Sequence, residues 1–487
     1  MEVLQRTANR GSVSTGYDID NSLKLEADNS ERLKSNNTHA ATTATSIKTG
    51  TFSFWVKRTE LGANYMVVSG DSARYSRMFF NSDDKIQLYS GDTSWNSVQP
   101  ITNAVFRDTS AWYHIVLRLD STDGTAANRL RLYVNSEEQT WGTSPNITQD
   151  GVHTLCAFGS PTFHSWGSNL SYFSPSAYFS GYLAEVHYVD GQALAPTEFG
   201  EVDDDSGIWK PKAYGGTYGN CGYYLDFADS GNLGDDESGN GFDFDENNIS
   251  AVDQSTDTPT NNFCTLNILN AASNGGGNNE YTEGATKGKA LQVSELASGT
   301  MAVTRGKWYY ECKALTNSDI MAGWGVPTLW GLHSSNPGYD TYSFAVHSVG
   351  RAYYYGNTYV DFSPSVTFDT NDIISVALDA DNGFAYWAKN GTWMNGGSPT
   401  SGATGTGGFN YIGGSTGANM EIVSGDFLIP ALRTNYYTNS SILLNFGGYT
   451  TISISSAASD ANGHGNFEYA PPSGYFALCT KNLAEYG

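Results

Sequence analysis

Two carboxylates and a histidine fall on one apolar stretch of the sequence, G-Y-L-A-E-V-H-Y-V-D at 181 to 190. Two carboxylates that face one cleft can cleave a glycosidic bond, because one acts as acid and the other as nucleophile or base. An odd number of positions separates Glu185 from Asp190, so a regular strand places them on opposite faces. His187 shares a face with Glu185, and such a pair is typical of a structural hydrogen bond. The spacing predicts no catalytic pair here, and we expect no enzyme.

Other signatures of catalysis are missing from the sequence. It has no GxxxxGK[ST] phosphate-binding loop and no HExxH zinc motif, and its histidines are scattered. A G-x-S-x-G nucleophile turn between a strand and a helix does not occur either. The cysteines form no C-x-x-C pair, which argues against a zinc ribbon or a redox site. No organic cofactor is therefore expected. The odd number of cysteines predicts buried free thiols, as in a protein that folds in a reducing cytoplasm.

Charge and hydropathy limit the partners of the chain. Lys+Arg 26 against Asp+Glu 50 gives a formal net charge of -24. Such a surface repels nucleic acid and anionic membranes, so neither is an expected partner. No apolar run is long enough for a transmembrane helix, and the N-terminus lacks the apolar region of a signal peptide. We therefore expect a protein made in the cytoplasm that does not insert into a membrane.

Acidic, turn-rich sequence fills residues 201 to 275. It includes E-V-D-D-D at 201 to 205 and G-D-D-E-S-G-N at 234 to 240, and between them C-G-Y-Y-L-D-F at 221 to 227 predicts one strand. The segment is too long for a plain loop in a compact domain. Asp-rich loops with Gly can bind calcium, although the strict EF-hand pattern is absent. The composition predicts an acidic, partly ordered linker, which is either a solvated connector or a set of calcium-binding loops.

A series of short apolar strands organises the second half of the chain, from Lys307 to Gly447. They include K-W-Y-Y-E-C at 307 to 312, D-I-I-S-V-A-L-D at 372 to 379, G-F-A-Y-W-A-K-N-G at 383 to 391 and I-L-L-N-F-G at 442 to 447. Each is bounded by Gly, Asn or Asp, which predicts an antiparallel β-sandwich. The order of these pieces resembles the SPRY family over roughly residues 280 to 450. That resemblance implies a binding module without catalysis.

A second set of strands occupies Leu23 to Gly200. It includes A-W-Y-H-I-V-L-R-L-D at 111 to 120, R-L-R-L-Y-V-N at 129 to 135 and G-Y-L-A-E-V-H-Y-V-D-G-Q-A-L at 181 to 194. Leu130, Leu132 and Val134 alternate, which places them on one face. These pieces resemble the laminin-G-like, concanavalin A-like jelly roll, although Ser136 stands where that family turns on Gly. Relatives of that fold bind sugars or calcium, and some cleave glucans.

Together these patterns predict an all-β chain, with two antiparallel β-sandwich (jelly-roll) domains joined by an acidic linker and almost no helix. The polar start of the chain, which carries Arg6 and Arg10, is either a docking segment or a frayed terminus. The C-terminal strap is expected to pack onto a domain or a neighbouring subunit. The predicted boundaries are a docking segment at 1–22, a laminin-G-like sandwich at 23–200, a linker at 201–275, a SPRY sandwich at 276–450 and a strap at 451–487.

The pairing of these two domains resembles bacteriophage virion proteins of the tail-fibre or head-fibre kind. The opening L-Q-R-T-A-N-R-G-S-V-S-T-G-Y and the closing P-P-S-G-Y-F-A-L-C-T-K-N-L resemble those proteins as well. The resemblance implies a structural protein on the virion surface that docks onto other virion proteins through its N-terminal segment and binds host-surface glycan. Because repeated copies raise avidity, we expect a homotrimer. Two alternatives stay open, a capsid or tail decoration protein without a receptor role and a glycan depolymerase.

In SPRY domains the recognising residues lie in loops at one end of the sandwich. The resemblance therefore implies a set of aromatic ligand-binding candidates in this chain, namely Trp330, His333, Tyr353, Tyr354, Tyr355 and Trp393. Tyr and Trp offer large contact areas at low entropic cost, and the apolar face of a sugar ring stacks on them. In any strand, alternate members of the tyrosine run face the core, and Trp330 could only cap the sandwich. Trp95 and Trp166 of the laminin-G-like half are the next candidates.

Overall fold

The computed structural model describes residues 16–35, 43–70, 75–90, 99–156, 162–171, 174–204, 206–270, 272–273, 280–289, 295–315, 320–327, 336–355, 358–412, 420–434 and 441–487. These residues form two compact units, one within residues 14–260 and one within residues 261–487. We call them the first sandwich and the second sandwich. Each consists of two packed β-sheets around its own core, which confirms the predicted all-β class.

The first sandwich contains two eight-stranded sheets and two short ribbons. Its strands are β1 (Ser22–Leu25), β2 (Arg32–Ser35), β3 (Thr49–Arg58), β4 (Asn64–Gly70), β5 (Tyr75–Phe80), β6 (Ile86–Ser90), β7 (Ile101–Thr102), β8 (Trp112–Asp120), β9 (Leu130–Val134), β10 (Glu137–Glu138), β11 (Trp141–Thr143), β12 (Phe163–Trp166), β13 (Ser168–Ser171), β14 (Ser174–Tyr178), β15 (Gly181–Asp190), β16 (Gly200–Val202), β17 (Trp209–Pro211), β18 (Tyr223–Leu225), β19 (Phe244–Asn247) and β20 (Gln254–Ser255). Sheet A has the order β10-β9-β8-β3-β15-β1-β20, with β18 also paired to β15. Sheet B has the order β11-β7-β6-β5-β4-β12-β2-β19, and the ribbons are β13-β14 and β16-β17.

Alternating side chains from the two sheets fill the interior of the first sandwich. Leu130, Leu132 and Val134 of β9 all lie in this core, as their spacing predicts. Sheet B contributes residues such as Met78 and Phe80, which are fully buried. The period of two in the sequence therefore identifies the core face of these strands correctly.

Most of the predicted linker at 201–275 belongs to the first sandwich, which corrects that prediction. β18 pairs with β15, β19 with β2 and β20 with β1. Tyr223, Leu225 and Phe244 on these strands are buried in the core. β18 lies in the stretch C-G-Y-Y-L-D-F at 221 to 227, whose apolar run predicts one strand, and the structure confirms that strand. β19 and β20 are short and lie among acidic residues, so the composition of the segment did not indicate them. The described part of the predicted docking segment, residues 16–22, also belongs here, since the Ile19 backbone N–H donates to Thr260 Oγ1 at 3.0 Å.

The second sandwich consists of a seven-stranded sheet and a nine-stranded sheet. Its strands are β21 (Ala272–Ser273), β22 (Glu280–Thr282), β23 (Lys287–Lys289), β24 (Glu295–Ser298), β25 (Lys307–Ala314), β26 (Met321–Gly325), β27 (Ser343–His347), β28 (Arg351–Tyr354), β29 (Thr358–Asp361), β30 (Ile373–Asp379), β31 (Phe384–Lys389), β32 (Thr392–Trp393), β33 (Phe409–Asn410), β34 (Ile429–Thr434), β35 (Ser441–Asn445) and β36 (Phe476–Ala477). Sheet C has the order β21-β24-β34-β26-β27-β28-β29. Sheet D has the order β22-β23-β35-β25-β30-β31-β32, with β33 paired to β31 and β36 to β25.

The C-terminal tail packs onto the outer face of sheet D. β36 pairs in parallel with β25, and the aromatic side chains of Phe467 and Tyr475 bury Tyr309 of that strand. The predicted strap at 451–487 therefore packs onto its own domain in this structure. Helical structure is short, as the sequence predicts. Within the described residues it includes α1 (Thr480–Tyr486) and the 3-10 turns Ala126–Asn128, Thr154–Cys156, Pro196–Glu198, Ala251–Asp253, Ile268–Asn270, Met394–Gly396 and Pro399–Thr404.

The five cysteines are buried free thiols, which confirms the expectation from their number and spacing. Burial raises the pKa of the Cys221 thiol to about 12, so that side chain stays protonated at neutral pH. Among the described residues, no helix is long and apolar enough to cross a membrane.

Candidate functional site

The structure describes one of the four tryptophan and histidine candidates that lie away from β28 and β32. Trp330 and His333 lie outside the described residues, as does Trp95 in the first sandwich. Trp166 was expected to be exposed, but the structure buries it completely in the first core. Its indole Nε1 donates to the Tyr223 hydroxyl at 3.0 Å. This corrects the suggestion of Trp166 as a surface candidate, because its strand position on β12 faces the opposite sheet.

The tyrosine run of the second sandwich divides between the two faces of β28. Tyr353 faces outward from sheet C, whereas Tyr354 packs inward with its ring 5.3 Å from Phe409. Tyr355 follows the strand in a turn and is 39% exposed. Alternate residues of a strand face opposite sides of a sheet, so at least one residue of the tyrosine run must face the core, and Tyr354 does so.

Trp393 lies apart from these tyrosines, on β32 of sheet D. It is half-buried and packs against the aromatic cluster that the tail covers, which includes Tyr309, Tyr386 and Tyr475. The structure therefore does not bring Trp393 and Tyr353 into one site, since they occupy the outer faces of opposite sheets.

Five side chains on the outer face of sheet C form what we call the tyrosine patch, namely Tyr339, His347, Arg351, Tyr353 and Tyr359. Tyr353 is central. Its ring centroid lies 5.6 Å from that of Tyr339, 5.4 Å from that of His347 and 5.5 Å from that of Tyr359. Ring pairs at these separations attract one another through their quadrupoles.

The register of two hairpins builds the tyrosine patch. β27 pairs with β28 so that His347 lies opposite Arg351, and β28 pairs with β29 so that Tyr353 lies opposite Tyr359. Side chains directly opposite on one face of an antiparallel pair are close enough to touch. The pairing of the strands therefore determines which side chains form the patch. Tyr353 at its centre is only 9% exposed, whereas Tyr359 beside it is 42% exposed.

An ion pair fixes the charged edge of the tyrosine patch. Arg351 Nε donates to Asp361 Oδ1 at 2.6 Å, and the guanidinium carbon lies 4.1 Å from the Tyr359 ring centroid. The bond to Asp361 raises the pKa of Arg351 above its ordinary value, so the cation is retained. Both side chains are exposed, at 38% and 67%, and such a pair adds little to stability. Its effect is to hold a planar cation over an aromatic face.

The tyrosine patch offers the groups that a saccharide needs. Tyr359 is 42% exposed and presents ring surface for stacking. Arg351 supplies donors and Asp361 supplies acceptors beside that ring, which is the combination required by a hydroxyl-rich ligand.

A second polar cluster lies on the outer face of sheet A, and we call it the tyrosine–carboxylate cluster: Tyr17, Glu185, His187, Tyr218 and Tyr224. Glu185 has φ 48, and the pairing of β15 with β3 shifts register between Ala184 and His187. This β-bulge turns Glu185 outward beside His187, as the predicted shared face requires.

Tyrosine hydroxyls rather than the histidine satisfy the Glu185 carboxylate. Tyr17 donates to Oε2 at 2.9 Å and Tyr224 donates to Oε1 at 2.8 Å. Burial raises the pKa of both tyrosines far above the ordinary value, so they remain donors. His187 Nε2 lies 3.6 Å from Oε2, which is longer than a hydrogen bond, and this corrects the predicted Glu–His bond. The His187 ring instead stacks on Tyr224, 4.4 Å between centroids.

Asp190 has a structural role at the far end of β15. Its carboxylate accepts backbone N–H groups of Thr45, Ser46 and Cys221 at 2.5, 3.2 and 3.1 Å. Both oxygens of this carboxylate accept backbone hydrogen bonds. Asp190 does not approach Glu185, in agreement with the opposite faces expected from the spacing. Both carboxylates are buried, at 5% and 1% exposure, so neither meets a substrate in this conformation.

Carboxylates of the acidic turns accept hydrogen bonds from backbone N–H groups and from a lysine. Asp236 accepts the N–H groups of Tyr224, Ser238 and Phe242, and Asp203 accepts Lys210 Nζ at 3.2 Å. Among the residues that the structure describes, no three His, Cys, Asp or Glu side chains are grouped to hold a metal ion. The suggestion of calcium-binding loops in 201–275 gains no support from these side chains.

Sequence reasoning missed several members of both clusters. Tyr339 and Tyr359 join the tyrosine patch only through hairpin register, and Tyr17 and Tyr224 join Glu185 across long sequence separations. An R-x-Y pattern followed by Y-x-D across a short turn, as in 351–361, could have indicated the pairing of Arg351 with Asp361.

Comparison with known proteins agrees with the geometry of the first sandwich. A family model described as the Concanavalin A-like lectin/glucanases superfamily matches residues 32–198. No curated protein matches the sequence. The matched range lies entirely within the first sandwich and ends before β16.

Three solved structures illustrate the folds to which the chain is similar. A heptameric SAP-like pentraxin from Limulus polyphemus is 16% identical, with 37% of this chain and 80% of that chain covered and a TM-score of 0.28. The SPRY domain of human HERC1 is 13% identical, with 37% and 96% covered and a TM-score of 0.25. The TRIM65 PSpry domain is 14% identical, with 37% and 88% covered and a TM-score of 0.26. At these scores we draw nothing further from the likenesses. The first sandwich, over residues 32–198, is therefore similar to the concanavalin A-like lectins and glucanases, as its strand sequences predicted.

Proposed function

We propose that the chain is a structural protein of a bacteriophage virion, of the tail-fibre or head-fibre kind, that binds host-surface glycan. The observation that carries the binding proposal is the tyrosine patch. There a half-exposed Tyr359 ring lies under the Arg351 guanidinium, beside the Asp361 carboxylate. The lectin-like fold of the first sandwich supports carbohydrate binding as the general role.

In this proposal a sugar ring stacks on Tyr359 through its apolar face. Its hydroxyls bond to Arg351 and Asp361, which the ion pair already holds in place. Preorganised groups lose little entropy on binding, so a small exposed patch can still contribute measurable affinity. The paired tyrosines beneath, Tyr353 and Tyr339, keep the Tyr359 ring in position.

The proposal places the protein on the virion surface. The N-terminal segment docks onto other virion proteins, and a homotrimer presents several patches at once, which raises avidity without new contacts. The net charge of -24 supports partners other than nucleic acid or anionic membrane.

Catalysis is not part of the proposal. Glu185 and Asp190, the carboxylates with the most suggestive spacing, are buried and bonded to tyrosine hydroxyls or backbone. A glycan depolymerase would release reducing ends from host polysaccharide, and we expect none from this protein. Adsorption by particles that lack the protein separates an adhesin from a decoration protein, since only loss of an adhesin slows attachment.

The direct test is binding of the full chain to a bacterial glycan array. We expect Tyr359→Ala to weaken binding about tenfold or more on the glycans that the parent protein binds. Tyr355→Ala is the matched control, because Tyr355 has similar exposure and follows the adjacent strand but lies outside the patch. Equal binding by the parent and the Tyr359 variant would place the site elsewhere.

A further inference from the structure

Lys24, Glu31 and Asp253 form a buried cluster in the first sandwich. Lys24 Nζ lies 2.8 Å from Asp253 Oδ1 and 3.1 Å from each carboxylate oxygen of Glu31. The three side chains are 1%, 3% and 4% exposed. One cation thus faces two carboxyl groups almost out of contact with solvent. Burial penalises every charged form, and the two carboxyl groups compete for one cation.

Separate hydrogen bonds hold each carboxyl group in place. Asp253 Oδ2 accepts the backbone N–H of Ser250 at 2.8 Å. Glu31 accepts the backbone N–H of Glu26 at 2.7 Å and the Asn29 side-chain amide at 2.8 Å. Burial raises the pKa of Glu31 to about 7, so this residue can both carry and give up a proton near neutral pH. The amine, an electrophilic carboxyl and a proton carrier are therefore fixed in mutual contact.

We propose that Lys24 and Asp253 become joined by an intramolecular isopeptide bond, with Glu31 as the catalytic residue that transfers protons. The step begins with Glu31 protonated, and the Lys24 ammonium first gives one proton to Asp253 Oδ1. The neutral amine then attacks Asp253 Cγ and forms the C–N bond. Glu31 protonates the departing oxygen, which leaves as water, and takes back the second amine proton. One ammonium and one carboxylate yield one amide and one water, with no oxidant, reductant or other reactant.

Asp253 rather than Glu31 is the electrophile in this scheme. Its free oxygen makes the shortest contact with the amine, and the Ser250 N–H withdraws charge from the other oxygen. Glu31 contacts the amine through both oxygens at equal distance, which suits a proton carrier. Because the amine and the carboxyl group are already in contact, the reaction avoids the entropic cost of bringing a free amine and a free acid together.

The bond would tie the two ends of the first sandwich together. Lys24 lies on β1, and Asp253 immediately precedes β20, the strand that pairs with β1. Force applied along the chain would then pass through a covalent link instead of peeling the terminal strands from sheet A. This gain in mechanical resistance does not depend on what the second sandwich binds.

The same sandwich contains an internal control. Lys57 Nζ lies 2.7 Å from Asp257 Oδ2, and these side chains are 0% and 1% exposed. The other Asp257 oxygen accepts Trp112 Nε1 at 3.1 Å, in the position where Asp253 accepts the Ser250 N–H, and Lys57 Nζ lies 5.7 Å from the Tyr182 ring centroid. An indole N–H cannot shuttle protons. We therefore expect Lys57 and Asp257 to stay unlinked.

Intact-mass spectrometry of the denatured full chain tests the proposal. We expect the protein to be lighter than its sequence by one water, and a tryptic map to show a branched peptide that joins the Lys24 and Asp253 segments. The full sequence mass would overturn the proposal. A water loss that maps elsewhere, such as a succinimide at Asp123-Gly124 or a link at Lys57, would overturn it as well.

Glu31→Gln tests the role of the proton carrier. It keeps the size of the side chain and both reacting groups, so we expect full sequence mass and no branched peptide. The bond in this variant at parental yield would refute catalysis by Glu31. Circular dichroism confirms that the variant is folded, and Glu26→Gln is the matched control, because Glu26 is equally buried nearby but accepts a bond from Ser180 instead of Lys24.

Discussion

Replacement of Tyr223 by Phe removes one hydroxyl that joins two buried partners. Tyr223 lies on β18 and is completely buried. Trp166 Nε1 donates to its oxygen at 3.0 Å, and the same oxygen lies 3.0 Å from His164 Nδ1. Burial lowers the pKa of His164 to about 3, so the imidazole is neutral at pH 7 and shares one proton with the tyrosine oxygen through Nδ1. The substitution leaves two buried polar groups, the Trp166 N–H and His164 Nδ1, without this partner.

The size of the effect follows from those two groups. A buried polar group that loses its partner costs about 1–3 kcal/mol, and the hydroxyl's own desolvation offsets part of the sum. We therefore expect Tyr223→Phe to lower the free energy of unfolding of the first sandwich by about 2–4 kcal/mol.

Differential scanning calorimetry of the full chain measures this loss as a shift of the first-sandwich transition. Tyr133→Phe is the control, because Tyr133 on β9 is half-buried and loss of its hydroxyl should change the transition temperature little. Equal transitions in the two variants would refute the reasoning, since they would mean that the segment carrying β18 is not an integral part of the sandwich.

Three further predictions concern the same sandwich. Ser136→Gly should stabilise it by up to about 1 kcal/mol, because Ser136 has φ 69 in the two-residue turn between β9 and β10. Unchanged or lower stability in urea would contradict this. A fragment of residues 14–200 should fail to fold by circular dichroism, whereas residues 14–260 should fold, because only the longer fragment contains β18 to β20. Acid should destabilise the sandwich, because the folded pKa of His114 and of His164 is about 3 and lies below the unfolded value. The unfolded state then binds more protons, so stability is lost as pH falls from about 6.5 towards 3, by about 2 kcal/mol per histidine at pH 5. A denaturation midpoint that is flat between pH 7 and pH 5 would contradict this.

Local patterns predicted much of the fold. Alternation along β9 placed Leu130, Leu132 and Val134 in the core, and the apolar strands of the second half became the central strands of its two sheets. Such predictions succeed because the period of a strand is written in neighbouring residues. The strand at Tyr223 was predicted from C-G-Y-Y-L-D-F at 221 to 227, and the structure confirms it. The strand at Phe244 was missed, because it is only four residues long and lies among acidic residues.

The candidate site depended on information that no local pattern contains. Tyr353 was identified from its sequence, but its partners are set by which strands pair and in which register. The β-bulge at Glu185 is likewise a property of the pairing with β3, and it decides which groups bond to that carboxylate. Trp166 is a further example. Its sequence position suggested an exposed aromatic residue, but packing of the opposite sheet, which no local pattern predicts, buries it completely.

Isothermal titration of the array-selected saccharide into the full chain tests carbohydrate recognition by the tyrosine patch most directly. Loss of the stacked ring in Tyr359→Ala removes about 1.5 kcal/mol or more, which corresponds to about a tenfold weaker affinity. We predict saturable heat for the parent protein and for Tyr355→Ala, and at least that loss for Tyr359→Ala. The same affinity in all three proteins would contradict recognition through the patch.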